Sequence, residues 1–310
     1  MSDSMEQKSG GLSTQASKIG FVGIGNMGQP MAAHLIKAGW SVQVYDIDRN
    51  KTRKFAADHG ATVADSLEDL GRNSNVVITM VLDGHIVKQV LLGGANGTGD
   101  CVINSLPKGS VIIDMSSSAP IGTRELGKEL NKREMLFMDA PVSGGVRGAV
   151  AGTLAILMGG DRSLVDSCDP LLAPMGRRFH VGPLGSGNAA KALNNYVSAA
   201  GLAAAAEAVI IGQRFGIAPE VLTNVLNAST GRNNSTENKF NQFILNKTYS
   251  AGFALGLMAK DIALAMEVAE ALSVPAEFGH ACLRLWKGAE AALGGKADHT
   301  EVIKFLGGLP

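Results

Sequence analysis

The stretch Lys18-Ile19-Gly20-Phe21-Val22-Gly23-Ile24-Gly25-Asn26-Met27-Gly28 runs from a short apolar segment into three glycines spaced as GxGxxG, and an amphipathic segment follows. A strand that turns into a helix through this spacing is built for a dinucleotide. Gly23 permits the tight turn, Gly25 lets a pyrophosphate approach the backbone, and Gly28 lets helix and strand pack closely. Asn26 and Met27 lie in the same loop and count with the glycines as cofactor contacts. Eighteen residues after Gly28, Asp46 ends the second apolar run. A carboxylate there accepts hydrogen bonds from the adenosine ribose hydroxyls and repels a 2′-phosphate, so NAD is expected over NADP. Arg49 keeps NADP open: its guanidinium either holds a phosphate or is a solvated arginine at a helix start.

Outward from this loop, apolar runs alternate with amphipathic segments, the pattern of βαβ units. Strands are expected at Ile19–Gly23, Val42–Tyr45, Val76–Thr79, Val111–Asp114, Leu136–Met138, Leu154–Met158 and Arg178–Val181. Helices are expected to begin near Asn26, Arg49, His85, Ile121 and Ser163. This half reads as a doubly wound α/β, Rossmann-type domain over residues 18–184. After Gly182 the text becomes rich in Ala and Leu, with turns at Gly216–Pro219, Ala228–Asn234, Ser250–Gly252, Val274–Pro275 and Gly294–Gly295. Residues 185–310 therefore read as an all-α domain for substrate binding and dimerisation. Gly185 to Phe215 contains no proline and is expected to form one helix of about 45 Å joining the two domains. The polar leader, residues 1–17, lacks the apolar run of a signal peptide and the cationic residues of a transit peptide, and is expected to be disordered.

Composition narrows the class of ligand. Lys plus Arg and Asp plus Glu number 28 each in 310 residues, so no net field attracts nucleic acid or an anionic membrane, and a small molecule is expected. The apolar stretch Ala189–Ile211 carries Lys191, Asn194, Asn195 and Glu207, which suits a buried helix rather than a membrane span. Cys101, Cys168 and Cys282 have no metal-ligand spacing and imply free thiols in a reducing cytoplasm. The six histidines form no HExxH, so no metal is expected.

Lys191 stands four residues after Gly187 and four before Asn195, so a helix puts all three on one face, with the glycine leaving room for a ligand. Apolar neighbours predict a poorly solvated ammonium able to take a hydroxyl proton as hydride leaves; the alternative is a lysine that snorkels to solvent. Asn195 either orients the substrate hydroxyl or holds Lys191. Asn194 faces away and is expected to bond between helices. In Ser143-Gly144-Gly145, a hydroxyl and closely set backbone amides suit a substrate carboxylate. The polar loop Thr230–Thr236 is placed to close over a substrate, and Arg232 and Arg147 stay outside the assigned site.

The run Gly23-Ile24-Gly25-Asn26-Met27-Gly28-Gln29-Pro30-Met31-Ala32 resembles the cofactor loop of the β-hydroxyacid dehydrogenases, the 3-hydroxyisobutyrate dehydrogenase family. Asp139-Ala140-Pro141-Val142-Ser143-Gly144-Gly145 resembles that family's substrate-binding stretch. Gly187-Asn188-Ala189-Ala190-Lys191-Ala192-Leu193-Asn194-Asn195 resembles its catalytic stretch, and Met258-Ala259-Lys260-Asp261 its late cofactor contact. The resemblance implies that Lys191 is the general acid/base and that Lys260 reaches toward the nicotinamide, with Asp261 as a positioning partner. It also implies that Ser117 contacts the cofactor. Asp114-Met115-Ser116-Ser117-Ser118 departs from the commoner Asp-Ser-Ser-Thr form, and a serine cluster that caps the next helix is the competing view. Phe253 walls the substrate pocket or is simple core.

The expected activity is therefore NAD-dependent interconversion of a small β-hydroxy acid with its semialdehyde or keto acid, in a homodimer or homotetramer. Tartronate semialdehyde, L-threonate and sulfolactaldehyde suit the same scaffold. A 6-phosphogluconate-type enzyme should carry a denser basic cluster, and an imine reductase usually lacks the lysine. From a different class, a silent NAD(P)-binding scaffold protein would have no use for Lys191.

Overall fold

A computed structural model describes residues 12, 13, 16–94 and 99–309. By density of contacts the chain parts into two compact units, Met1–Lys191 and Ala192–Pro310. Of the expected leader, residues 1–11, 14 and 15 lie outside the described residues. Leu12 is tied down, its N–H donating to the Ser167 carbonyl at 3.0 Å, and Ser17 is buried.

The described strands of the first unit are β1 (Lys18–Val22), β2 (Ser41–Tyr45), β3 (Thr62–Val63), β4 (Val76–Thr79), β5 (Val111–Asp114), β6 (Leu136–Asp139), β7 (Val142–Ser143), β8 (Leu154–Gly159) and β9 (Gly176–Gly182). They form one sheet in the order β3-β2-β1-β4-β5-β6-β8-β7, with β9 paired to β8. From β3 to β6 every neighbour is parallel. The antiparallel pairings of β8 with β6 and β7 close the far side. The helices are α1 (Gly28–Lys37), α2 (Arg49–His59), α3 (Leu67–Arg72), α4 (Gly84–Leu92), α5 (Pro120–Asn131), α6 (Gly145–Ala151) and α7 (Arg162–Leu172). Sequence patterning misses β3, β7, α3 and α6, elements too short to show a period.

Both sheet faces are covered, so the strands alternate between two cores. Phe21, Ile78, Ile113 and Met138 face one; Val22, Val77, Ile112 and Phe137 face the other. The strand order reverses between β1 and β4. Ligands of open α/β sheets bind beyond the carboxyl ends of the strands at such a switch point, where the Gly23–Gly28 loop leaves β1.

The long helix α8 (Ser186–Phe215) has 30 residues and begins in the first unit. By length and apolar composition alone it could cross a membrane, yet Ala199, Leu202, Ala206 and Val209 are buried in a helical core. The rest of the second unit is α9 (Pro219–Ala228), a nine-residue π-helix (Thr236–Ile244), α10 (Leu255–Ala271), α11 (Glu277–Leu293) and the short α12 (Val302–Phe305). Trp286, Phe240, Leu255 and Ile262 fill its core.

Candidate active site

Three glycines of the first loop answer to different constraints. Gly23 has φ +100, and a Cβ there would land on the Met80 carbonyl. A Cβ on Gly28 would land on the Gly23 carbonyl, so the turn from β1 into α1 closes only without one. At Gly25 nothing lies within 4 Å of a Cβ position, and φ is not in the left-handed region. No neighbour in the protein forbids a side chain at Gly25; the fitting explanation is a ligand backed against the chain, as a pyrophosphate would be. Asn26 is exposed, while Met27 packs partly on the core at the start of α1.

Asp46 at the end of β2 is tied into the same loop. Its Oδ2 accepts the Ile24 N–H at 2.7 Å and its Oδ1 accepts the Asp48 N–H at 2.9 Å. The carboxylate keeps lone pairs for ribose hydroxyls and a charge adverse to a 2′-phosphate. Arg49 is turned away from the phosphate role: its guanidinium donates to the carbonyls of Ala64, at 2.6 Å, and Asp65. It also lies 4.9 Å from the centroid of the Tyr45 ring.

Beyond β5, Asp114 is buried and gathers the serine loop. It accepts the Thr79 hydroxyl at 2.9 Å, the Ser118 hydroxyl at 2.7 Å and the Ser116 N–H at 2.9 Å. Burial pushes its carboxyl up, and these bonds pull against that. The Ser116 hydroxyl accepts the Val81 N–H. The serines do not cap α5, whose N-cap is Ala119 with no side-chain hydrogen bond. Ser117 is the half-exposed member, with Ser116 and Ser118 buried beside it.

A feature that sequence reading missed is the anchor of α8. Asp139, wholly buried at the end of β6, accepts the N–H groups of Gly185 and Asn188, each at 2.7 Å. Burial raises its carboxyl to about 7 against the pull of these two N–H groups. Asn188 passes the connection on, accepting the Ser118 N–H at 3.0 Å and donating to the Thr123 hydroxyl at 3.2 Å. The available signal was an acidic residue at a strand end, which spacing alone cannot connect to a helix 46 residues away. Gly187 also differs from expectation. A Cβ there would strike the Leu157 carbonyl and the Asp139 carboxylate, so its role is to let α8 close on β8, not to leave room for a ligand.

One turn on, Lys191 is 9% exposed, which rules out snorkelling to bulk water. Asn195 is buried, and its amide donates to the Asp261 carboxylate at 2.6 Å. Its carbonyl oxygen accepts the Asn194 amide at 3.1 Å. Asn194 is exposed and bonds along its own helix, in place of the expected bond between helices, because its side chain points to solvent. Lys260 is half-buried on α10, next to Asp261.

Ser143 ends β7 half-buried, and Gly144 (φ +127) and Gly145 (φ +60) expose the following backbone. Arg232 pairs with Glu237 at 3.7 Å on the surface. Phe253 packs edge-on to His299, with centroids 5.8 Å apart, against the helical core. The 230–236 loop is fastened by Asn233, which accepts the N–H groups of Ser235 and Thr236 and donates to the Gly201 carbonyl of α8 at 3.4 Å.

A doubly wound sheet with an open glycine loop at its switch point, leading into a long helix that carries a buried lysine, defines an NAD-binding oxidoreductase. Comparison with known proteins agrees. Residues 18–182 match the NAD binding domain of 6-phosphogluconate dehydrogenase, and residues 185–306 match the NAD-binding domain of NADP-dependent 3-hydroxyisobutyrate dehydrogenase. The chain is 34% identical to 2-(hydroxymethyl)glutarate dehydrogenase of Eubacterium barkeri, covering 93% of this chain and 94% of that one. It is 35% identical to mitochondrial 3-hydroxyisobutyrate dehydrogenase of Bos taurus (94% and 88%) and 35% identical to NAD-dependent L-serine dehydrogenase of Pseudomonas aeruginosa (87% and 91%). Among solved structures, Mycobacterium tuberculosis 3-hydroxyisobutyrate dehydrogenase with L-serine superposes with a TM-score of 0.84 at 32% identity, over 94% of this chain and 99% of that one. The chain belongs to the β-hydroxyacid dehydrogenase family, oxidoreductases acting on CH–OH donors.

Proposed function

We propose that this protein oxidises a short β-hydroxy acid to its semialdehyde or keto acid, and reverses the reaction, with Lys191 as the general acid/base. The observation that carries the reading is the burial of Lys191 on α8, one turn before Asn195 and one turn after the anchor that Asp139 makes with Asn188. When bound, NAD supplies the hydride acceptor. Gly23, Gly25, Asn26, Met27, Gly28, Asp46, Ser117 and Lys260 are assigned to holding it. Ser143, Gly144 and Gly145 receive the substrate carboxylate, and Asn195 orients the hydroxyl. Lys191 removes the hydroxyl proton in oxidation and returns it in reduction. The carboxylate at Asp46 and the engaged guanidinium of Arg49 support NAD over NADP.

The test is Lys191→Ala. It is expected to fold and bind NADH but to lose about 10²–10⁴-fold in kcat. A variant that keeps more than about a tenth of wild-type kcat would sink the acid/base assignment. Lys191→Arg should fare little better, since a guanidinium stays protonated at working pH.

The helical unit is assigned to self-association. Val197 and Ile211 (each 67% exposed), Phe215 (86%) and Phe278 (65%) leave it with exposed apolar side chains suited to a second copy. Sedimentation as a monomer at micromolar concentration would refute this. The three cysteines are buried free thiols, which suits a reducing cytoplasm.

A further inference from the structure

Asn188, in the first turn of α8, is buried, and its side-chain amide is engaged at both ends. Its Oδ1 accepts the Ser118 N–H at 3.0 Å and its Nδ2 donates to the Thr123 hydroxyl at 3.2 Å, with both partners buried as well. The amide can point only this way, because a backbone N–H donates and must face the carbonyl oxygen. The Asn188 N–H donates to Asp139 at 2.7 Å, so the backbone at this position is fixed against the end of β6. The segment just before is stitched to α5, where the Arg124 guanidinium donates to the Leu184 carbonyl at 3.0 Å.

The two elements that meet at Asn188 carry the assigned cofactor contact and the assigned base. On one side, Ser117 lies between two clamped neighbours: the Ser116 hydroxyl accepts the Val81 N–H at 3.0 Å, and the Ser118 N–H reaches Asn188. On the other, Lys191 follows Asn188 by three residues, on the adjoining face of the same helix and about 4.5 Å farther along its axis. All of these residues belong to the first compact unit. Packing does not call for an amide here. A leucine has nearly the same shape and is buried without the desolvation that an amide suffers. What the amide adds is a fixed distance and direction between the serine loop and the helix, the registry role to which buried polar groups are best suited.

We propose that Asn188 is a positioning residue: it sets the distance between the cofactor-contacting loop at Ser117 and the turn of α8 that presents Lys191, so that a cofactor seated on the loop also orders the base. This rests on the assignment of Ser117 to the cofactor and of Lys191 as the general acid/base. Asn188 acts through Ser118 and through its own helix, not on the reacting atoms. Proton transfer tolerates little misplacement, since an error of about 1 Å can cost about 10²-fold in rate. Without the amide, the loop keeps its anchor on Asp114 and the helix keeps its anchor on Asp139, but the two no longer move as one.

The experiment has two readouts on the full chain. With 3-hydroxyisobutyrate and NAD, Asn188→Leu is expected to lower kcat by about 10–100-fold while the KM for NAD stays within about threefold, the split that follows when a base is misplaced and binding is kept. In hydrogen exchange followed by mass spectrometry, NADH should slow exchange in the wild type both at residues 114–118 and at residues 186–192. In Asn188→Leu that protection should persist at 114–118 and vanish at 186–192. The exchange readout needs no turnover, so it decides alone if that acid is not oxidised, and it stands apart from the Lys191→Ala test of the base. Thermal melts verify folding. Thr123→Val, which removes only the acceptor of the Asn188 amide, replaces Asn188→Leu if the latter does not fold, and should show the same effects at reduced size. Wild-type kcat in the folded variant, a KM for NAD that rises as much as kcat falls, or NADH protection at 186–192 that is absent in the wild type or undiminished in the variant overturns the proposal.

Discussion

The carboxylate of Asp139, at the end of β6, accepts the backbone N–H of Asn188 in the first turn of α8 at 2.7 Å, with both residues buried. Together with the bond from Gly185, it acts as a remote N-cap, a carboxylate at the positive end of the helix that carries Lys191.

That burial has a pH signature. The Asp139 carboxyl is raised from 3.8 to about 7 by desolvation, so between these values the folded protein binds more protons than the unfolded chain. Its contribution to stability is therefore full below the unfolded pKa and is lost as pH rises toward about 7. Asp114, also raised by burial, acts in the same direction. Urea unfolding across this window should give a flatter pH curve for Asp139→Asn than for the wild type. Parallel curves would show that Asp139 does not titrate in this way.

The glycines of the first loop should separate by readout. Gly28→Ala drives a methyl into the Gly23 carbonyl and should lose about 1–3 kcal/mol or more of stability. Gly25→Ala meets nothing in the protein and should stay within about 0.5 kcal/mol of wild type. Its NADH affinity should nevertheless fall by about tenfold or more, a loss of about 1.4 kcal/mol in binding. Normal NADH binding by Gly25→Ala, measured by fluorescence, would remove the pyrophosphate from that position.

Cofactor choice should follow Asp46. The wild type is expected to show a higher kcat/KM with NAD than with NADP, and Asp46→Ser should narrow the gap by about tenfold. The same substitution removes the acceptor of the Ile24 N–H, so some loss with NAD should accompany it. A wild-type preference for NADP would contradict the assignment.

Substrate carboxylate binding is assigned to the turn after β7. Ser143→Ala deletes one charge-assisted hydrogen bond, worth about 1.5–3 kcal/mol, and should raise KM by about 10–100-fold. NADH affinity should be nearly unchanged. Comparable losses in both would point to a folding defect instead.

Much of this architecture is legible locally. The GxGxxG loop, the βα alternation and the Lys191–Asn195 spacing depend on residues within one or two turns or strands of each other, where periodicity and stereochemistry act directly. Pairings across the fold are not legible in that way. Gly187 reads as space for a ligand until α8 is seen packed against the Leu157 carbonyl. Arg49 reads as a candidate phosphate ligand until its guanidinium is found on the carbonyls of Ala64 and Asp65. Asp139 meets α8 across 46 residues, and Asn195 meets Asp261 across 66. The π-helix Thr236–Ile244 follows a polar loop, and its buried Thr236, Phe240 and Ile244 recur every fourth residue, a spacing that does not tell a π-helix from an α-helix. Local spacing decides which face a side chain occupies on its own element, but its partners are chosen by how elements distant in sequence pack, and only the folded chain brings those groups within hydrogen-bond reach.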